Sequence, residues 1–216
     1  MRIAVLGTGE VGRAIATRLM QLGHEVTMGS RSADGEALTG WVAEAGEGAA
    51  GGSFAEAAAA AELIFNCTAG TAALTVLEGA GAANLAGKTL VDVSNPLDFS
   101  AGPPPTLTVC NDDSLGERIQ ASFPETRVVK ALNTVNSAVM VDPGRVRGDH
   151  VVFVCGEDSA AKAQVSALLE AFGWPPDSIL DLGGIAAARG TEMFLPLWLQ
   201  VYGALDTPDF NIAIAR

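Results

Sequence analysis

The chain has 216 residues, 49% apolar and 18% charged, with 13 basic against 25 acidic side chains and a formal net charge of −12. That is enough for one large α/β domain or two small ones with a true core, and it excludes intrinsic disorder. The acid excess extends over both halves, so no basic face is available for nucleic acid or an anionic membrane.

Short apolar runs alternate with helical patterns, the mark of βαβ units and a parallel sheet. Residues 3–6 read as a first, continuously apolar strand. Residues 11–22 read as a helix, because Val11, Ile15, Leu19 and Leu22 recur at helical spacing and Gly23 supplies a C-terminal cap. A strand at 25–28, a short helix at 38–45, a weak strand at 48–52, a helix at 54–61 and a strong strand at 63–67 follow. A glycine-bearing helix is expected over 71–85 and a strand over 89–93. Gly102 and the three prolines after it read as a stiff surface loop rather than a boundary, since alternation resumes beyond it. The second half reads as helix 114–123, strand 127–132, strand 151–155, helix 159–172 and strand 178–181. A long apolar helix over 185–205, kinked at Pro196, ends the pattern. The expectation is a Rossmann-like, doubly wound α/β fold over 1–216, with a mainly parallel sheet and a long C-terminal helix. Residues 1–110 form the dinucleotide-binding core and 111–216 extend the sheet.

The chemistry starts at Gly7, Thr8, Gly9, Glu10, Val11 and Gly12, a G-x-G-x-x-G run between the first strand and the first helix. In that context the first glycine permits the turn, the second lets a pyrophosphate approach the backbone, and the third lets helix and strand pack closely. The helix N-terminus offers free N–H groups to the phosphates. An NAD site places an acid after the second strand. Here Ser30, Arg31 and Ser32 stand there, and a guanidinium between two hydroxyls suits the 2′-phosphate of NADP(H). Asp34 comes too late to serve as the ribose acid.

Three further strand ends are small or polar: Thr68, Ala69 and Gly70; Ser94, Asn95 and Pro96; Asn133 and Thr134. These positions border the crevice of a doubly wound sheet, where Asn95, Asn133 and Thr134 are candidates to orient the nicotinamide amide. No acid–base device stands out. His24 and His150 lie away from the crevice and read as structural, and no residue is assigned a catalytic role. Cys67, Cys110 and Cys155 are too scattered for a disulfide framework or a metal site. No Tyr-x-x-x-Lys pair exists, Tyr202 being the sole tyrosine, which argues against a short-chain dehydrogenase. Hydride passed between two redox coenzymes needs alignment and dryness more than a strong base.

With these residues in hand, the chain resembles the coenzyme F420-dependent NADP oxidoreductase family. The resemblance rests on MRIAVLGTGEVG, on GSRS after the second strand, on KALNT after the sixth, on VCGED ahead of a helix, and on Arg189, Glu192 and Pro196 in the last helix. It implies hydride transfer between NADP(H) and a 5-deazaflavin. It implies that Thr8, Glu10 and Val11 meet the pyrophosphate through the loop. Ser30 and Arg31 would take the 2′-phosphate, and Thr68–Gly70, Asn95, Asn133 and Thr134 the nicotinamide side. The family's His at the place of Asn133 is absent. The competing readings are an NADPH reductase of a flavin, a ferric chelate or a small carbonyl, and a non-catalytic NADP(H) sensor.

The final helix carries Met193, Phe194, Leu195, Leu197, Trp198, Leu199 and Val201, apolar nearly all round. It is expected to need cover on more than one side, from a second copy of the chain, and to wall the second ring with Met193, Phe194 and Trp198. Its charged and proline interruptions make it a poor membrane span. The N-terminus lacks a signal-peptide layout, so a cytoplasmic homodimer without metal is the expectation.

Overall fold

The chain opens with β1 (Arg2–Leu6), whose Ile3–Leu6 stretch is buried on both faces, as a strand inside a parallel sheet must be. The computed structural model describes residues 1–215; Arg216, the last residue of the expected 1–216 unit, lies outside them. Helix α1 (Glu10–Gln21) packs Ile15, Ala16 and Leu19 inward at helical spacing. It ends in a Schellman motif, with Gly23 N–H donating to Met20 O (2.9 Å) and His24 N–H to Leu19 O (3.1 Å). Gly23 takes the left-handed conformation that this motif requires, at φ +80°.

Two more βα units follow: β2 (Glu25–Ser30) with α2 (Glu36–Ala45), then β3 (Ala49–Ser53) with α3 (Phe54–Ala60). A capping box starts α3, because the Ser53 hydroxyl accepts from Glu56 N–H while the Glu56 carboxylate accepts from Ser53 N–H. After β4 (Leu63–Asn66), the expected helix over 71–85 comes in pieces. A 3₁₀ turn at Gly70–Ala72 leads into α4 (Ala73–Ala80), and α5 (Ala82–Leu85) is separate. Gly81 at φ +90° makes the break, since no residue in that conformation continues an α-helix.

Next come β5 (Thr89–Asp92) and a small antiparallel hairpin of β6 (Leu97–Asp98) and β7 (Thr106–Leu107), which carries the proline-rich loop at its tip. Two-residue strands leave no periodicity to read, and the sequence does not announce this hairpin. The second half runs α6 (Leu115–Ser122), β8 (Arg127–Ala131), α7 (Ser137–Val141), β9 (Val152–Cys155), α8 (Ser159–Phe172) and β10 (Ile179–Asp181). The C-terminal segment is helical from Ile185 through Leu205. A 3₁₀ turn and α9 (Ala188–Met193) are joined at Phe194 to α10 (Leu195–Leu205), with Pro196 in the first turn of α10, where its missing N–H costs least.

The eight long strands form one sheet in the order β10-β9-β8-β5-β4-β1-β2-β3. All neighbours are parallel except β8 and β9. The chain winds outward from β1 to β3, then crosses to β4 and winds the other way. The reversal lies between β1 and β4, and a doubly wound sheet opens its crevice beyond the C-terminal strand ends at such a point. The antiparallel joint also has a physical cause. Between β8 and β9 the only α-helix is α7, five residues long, which rises about 7–8 Å and cannot carry the chain back along the sheet for a parallel return. Alternate residues of β1 face two core layers. Ile3 and Val5 pack in the layer that holds Ile15, Leu38, Val165 and Trp174, whereas Ala4 and Leu6 pack in the layer that holds Ala57, Leu77 and Ile119.

Candidate functional site

The glycine run sits between β1 and α1, and its three glycines have different surroundings. Gly7 is at φ +118°, and a Cβ there would lie 2.8 Å from Cys67 O. A Cβ on Gly12 would lie 2.1 Å from Gly7 O, so helix and turn touch backbone to backbone. Gly9 is different: a Cβ would meet nothing within 4 Å. Gly9 is exposed, and the place that a side chain on it would take is open. Gly9 is also the N-cap of α1 and gives no side-chain hydrogen bond to the first-turn N–H groups. No side chain caps those groups, and the positive end of the helix dipole lies at this turn.

Three cavities line the strand ends and share walls. The first, about 520 Å³, is bordered by Ser30, Arg31, Ser53, Phe54, Thr71 and Thr75 among others, and no carboxylate lines it. Arg31 makes no ion pair with the described residues and is exposed at its mouth. The second, about 400 Å³, shares Thr71 with the first and takes in Val11, Cys67–Gly70, Ser94, Asn95 and the rim residue Phe99. Gly70 is obligatory here, because a Cβ on it would lie 2.0 Å from Asn95 O. The third, about 200 Å³, shares Val11, Val93 and Asn95 with the second. Its other walls are Glu10, Asn133, Thr134, Val135, Asn136, Ser137, Met140, Leu195 and Trp198. Together they make one crevice with a cationic, hydroxyl-rich end and a ring-sized end whose walls are half polar and half apolar.

Several sequence-predicted residues hold other posts. Ser32 donates its hydroxyl to Asp34 Oδ1 (2.5 Å) and does not line the cavity of Arg31; this bond is the main reason that the Asp34 carboxyl sits below its usual range. Pro96 is buried and turns the chain, its carbonyl accepting from Thr108 N–H (2.8 Å). Asn95 and Asn133 bind each other. Asn95 Nδ2 donates to Asn133 O (2.8 Å), and Asn133 Nδ2 donates to Asn95 Oδ1 (3.0 Å). Of the final-helix residues, Trp198 and Leu195 wall the third cavity, while Met193 and Phe194 do not. Trp198 lies between Tyr202 and Phe210, stacked on each, and its indole N–H is buried without a partner among the described residues. His150 is structural: Nε2 contacts Pro143 O (3.1 Å), Nδ1 contacts Asn211 Nδ2 (2.9 Å), and the ring meets Trp174 edge-on. Burial pushes the Cys67 thiol well above its usual range and the Cys155 thiol up to about 12, so neither offers a thiolate at neutral pH. Among the described residues no group of three or more His, Cys, Asp or Glu is placed to hold a metal ion, and no helix is long and apolar enough to cross a membrane.

Beneath the crevice lies a buried polar network that the sequence reading misses. Lys130 Nζ sits 2.7 Å from Asp92 Oδ2, 2.7 Å from Glu192 Oε1 and 2.6 Å from Ser94 O. Asp92 Oδ1 accepts from Asn66 Nδ2 and from the Ser94 hydroxyl, and Asn66 Oδ1 accepts from the Thr68 hydroxyl. Glu192 also accepts from the first N–H groups of α6, Leu115 (2.8 Å) and Gly116 (3.0 Å). The ends of β4, β5 and β8 are thus tied to α9. Burial works against the lysine charge, but Asp92 and Glu192 outweigh it and hold the Lys130 pKa above its usual value. A legible signal exists: Asp92 and Lys130 are opposite charges in otherwise apolar runs, and they pair in register on adjacent strands.

The comparisons agree with this geometry. The family described as NADP oxidoreductase coenzyme F420-dependent matches residues 2–96. The F420-dependent NADP reductase of Methanothermobacter marburgensis is 31% identical over 213 residues, 93% of this chain and 92% of that protein. The chain belongs to the F420-dependent NADP oxidoreductase family. By that membership it is an NADP-dependent oxidoreductase. A solved structure from Arthrobacter sp. FB24, assigned as an F420-dependent NADP reductase, is 53% identical over the whole of both chains with a TM-score of 0.94. Metalloreductase STEAP3 of Rattus norvegicus is 33% identical over 203 residues, 91% of this chain, but the chain spans only 38% of that protein. A reductive aminase of Aspergillus terreus, solved with NADPH, shares the fold at 22% identity and a TM-score of 0.68, over 95% of this chain and 62% of the other.

Proposed function

We propose that this oxidoreductase transfers hydride between NADP(H) and a 5-deazaflavin of the coenzyme F420 type. The observation that carries the cofactor half is the cavity of Arg31, with a guanidinium free of ion pairs, the hydroxyls of Ser30, Thr71 and Thr75, and no carboxylate among its lining residues. Arg31 and Ser30 hold the 2′-phosphate, since a guanidinium fork matches phosphate oxygens and a carboxylate would repel them. The open space at Gly9 and the α1 N-terminus receive the pyrophosphate. Thr68, Ala69 and Gly70 line the path onward, and the ring-sized cavity receives the nicotinamide. Bound NADPH supplies the hydride. Met140, Val135, Leu195 and Trp198 keep water from the reacting face, and the deazaflavin enters from that side.

The relationship to an F420-dependent NADP reductase over nearly the full length of both chains favours the deazaflavin. The metalloreductase relationship favours a second reading, reduction of a ferric chelate. The two separate in one assay, NADPH oxidation by the purified chain with a deazaflavin, a free flavin or a ferric chelate as acceptor. The deazaflavin is expected to turn over fastest. Turnover with the ferric chelate alone supports the second reading, and no turnover with any acceptor overturns both. The partner assigned to α10 is a second copy of the chain, covering an apolar surface that includes exposed Leu197 and Leu205.

A further inference from the structure

Glu10 is an acid inside a loop suited to phosphate. A carboxylate facing a pyrophosphate at this helix end would repel it. Glu10 instead turns across the crevice, where its Oε1 accepts from the hydroxyl of Ser137 (2.5 Å), the first residue of α7. It is the only ionisable side chain that lines the 200 Å³ cavity.

Of the residues that the sequence offers for reading the nicotinamide carboxamide, Asn95 and Asn133 bond each other, while Asn133 Oδ1 and the Thr134 hydroxyl have no hydrogen-bond partner among the described residues. The one carboxylate on the cavity wall is its strongest acceptor, and the start of α7 offers a donor on the same wall. Glu10 Oε2 has no hydrogen-bond partner among the described residues. Asn136 uses Oδ1 to cap α7, accepting from Ala138 N–H (3.0 Å), which leaves its NH₂ group for another acceptor. A carboxylate oxygen beside an amide NH₂ is the complement of a primary carboxamide, which presents an NH₂ and a carbonyl oxygen.

We infer that Glu10, held by Ser137, is the residue that positions the nicotinamide ring. Its carboxylate accepts from the carboxamide NH₂, and Asn136 donates to the carboxamide oxygen. With the carboxamide pinned at two points the ring cannot turn over, so one face of C4 is offered to the second substrate. This rests on the NADP(H) reading above.

The test is a calorimetric titration with NADP⁺ and with its 3-acetylpyridine analogue, in which a methyl replaces the amide NH₂ and the carbonyl stays. Wild type is expected to bind NADP⁺ about ten-fold more tightly than the analogue, the value of one hydrogen bond to a charged acceptor. Glu10→Ala should lose most of that preference by weakening NADP⁺ and leaving the analogue unchanged. Glu10→Gln, which keeps an acceptor oxygen and the shape, should retain part of it, and Ser137→Ala should fall between. A preference unchanged in Glu10→Ala, an equal loss for both ligands, or tighter NADP⁺ binding after the carboxylate is removed overturns the inference and leaves the NADP(H) reading standing. So does a wild type that binds both ligands equally. A wild type that binds neither removes both.

Discussion

At the scale of single residues, two substitutions separate ligand contacts from packing. Gly12→Ala drives a methyl into Gly7 O and should unfold or distort the glycine turn, read as a large drop in the thermal midpoint. Gly9→Val meets no protein atom at Cβ, so the circular dichroism spectrum and thermal midpoint should stay close to wild type while NADPH binding is lost. Normal NADPH binding by Gly9→Val would remove this loop as the phosphate site. Arg31→Ala should weaken NADPH about ten-fold or more, the cost of a charge-assisted contact of about 1.5–3 kcal/mol, and leave NADH nearly unchanged. Calorimetry with both cofactors checks it, and equal losses would place Arg31 outside the 2′-phosphate site. The place of Arg31 at a cavity mouth is legible, because its spacing after the second strand points to the crevice. The posts of Ser32, Asn95 and Asn133 are not, since the partner of a short polar side chain depends on which loops meet. Ser32 finds Asp34 next to it in sequence, while Asn95 and Asn133 meet only because β5 and β8 are neighbours.

At the scale of elements, α9 and α6 are joined by charge. Glu192 receives the first N–H groups of α6 and also pairs with Lys130, so one carboxylate holds a helix start and a strand end together. Lys130→Met leaves Asp92 and Glu192 buried without their cation and should cost about 3–5 kcal/mol in urea unfolding. A loss below 1 kcal/mol would show that the network is not a clamp. A second joint links the same helices nearer the surface, with Arg189 bonded to both carboxylate oxygens of Glu117. The hydrogen bond from Arg189 is the main reason that Glu117 titrates below its usual range; burial opposes it and the Ser114 hydroxyl assists. A carboxyl depressed in the fold contributes stability above its unfolded pKa, about 4.3, and loses that contribution as the pH falls through the folded value. Stability should therefore decline below about pH 4.3, and Arg189→Leu should make that decline shallower. Identical acid profiles for the two proteins would assign the acid loss elsewhere. The strands and long helices of these joints are visible in apolar periodicity, whereas α7 and the β6–β7 hairpin are too short to hold a period.

At the scale of the whole molecule, the doubly wound, mainly parallel sheet is legible in the βα alternation, whereas the crossing from β3 to β4 that sets the strand order is not. The reversed β9 is not foreseeable in that way, since it depends on the absence of a long helix after β8. The final segment raises the remaining question of scale. Its apolar character suits either a central core helix or an interface, and α10 is no core helix: Leu195 is its one buried residue, and Leu197 and Leu205 are 58% and 54% exposed. The same helix gives Trp198 and Leu195 to the ring-sized cavity, so whatever covers its outer face also steadies the site. The second copy proposed above would supply an apolar surface of matching kind, and a two-fold arrangement would let each copy cover the other. Light scattering at low micromolar concentration should give twice the 22.0 kDa of one chain. Leu197→Glu together with Leu205→Glu, neither of which lines the cavity, should give single chains that still bind NADPH but turn it over more slowly. A wild-type mass of one chain excludes the dimer, and a paired variant that remains dimeric moves the interface away from α10.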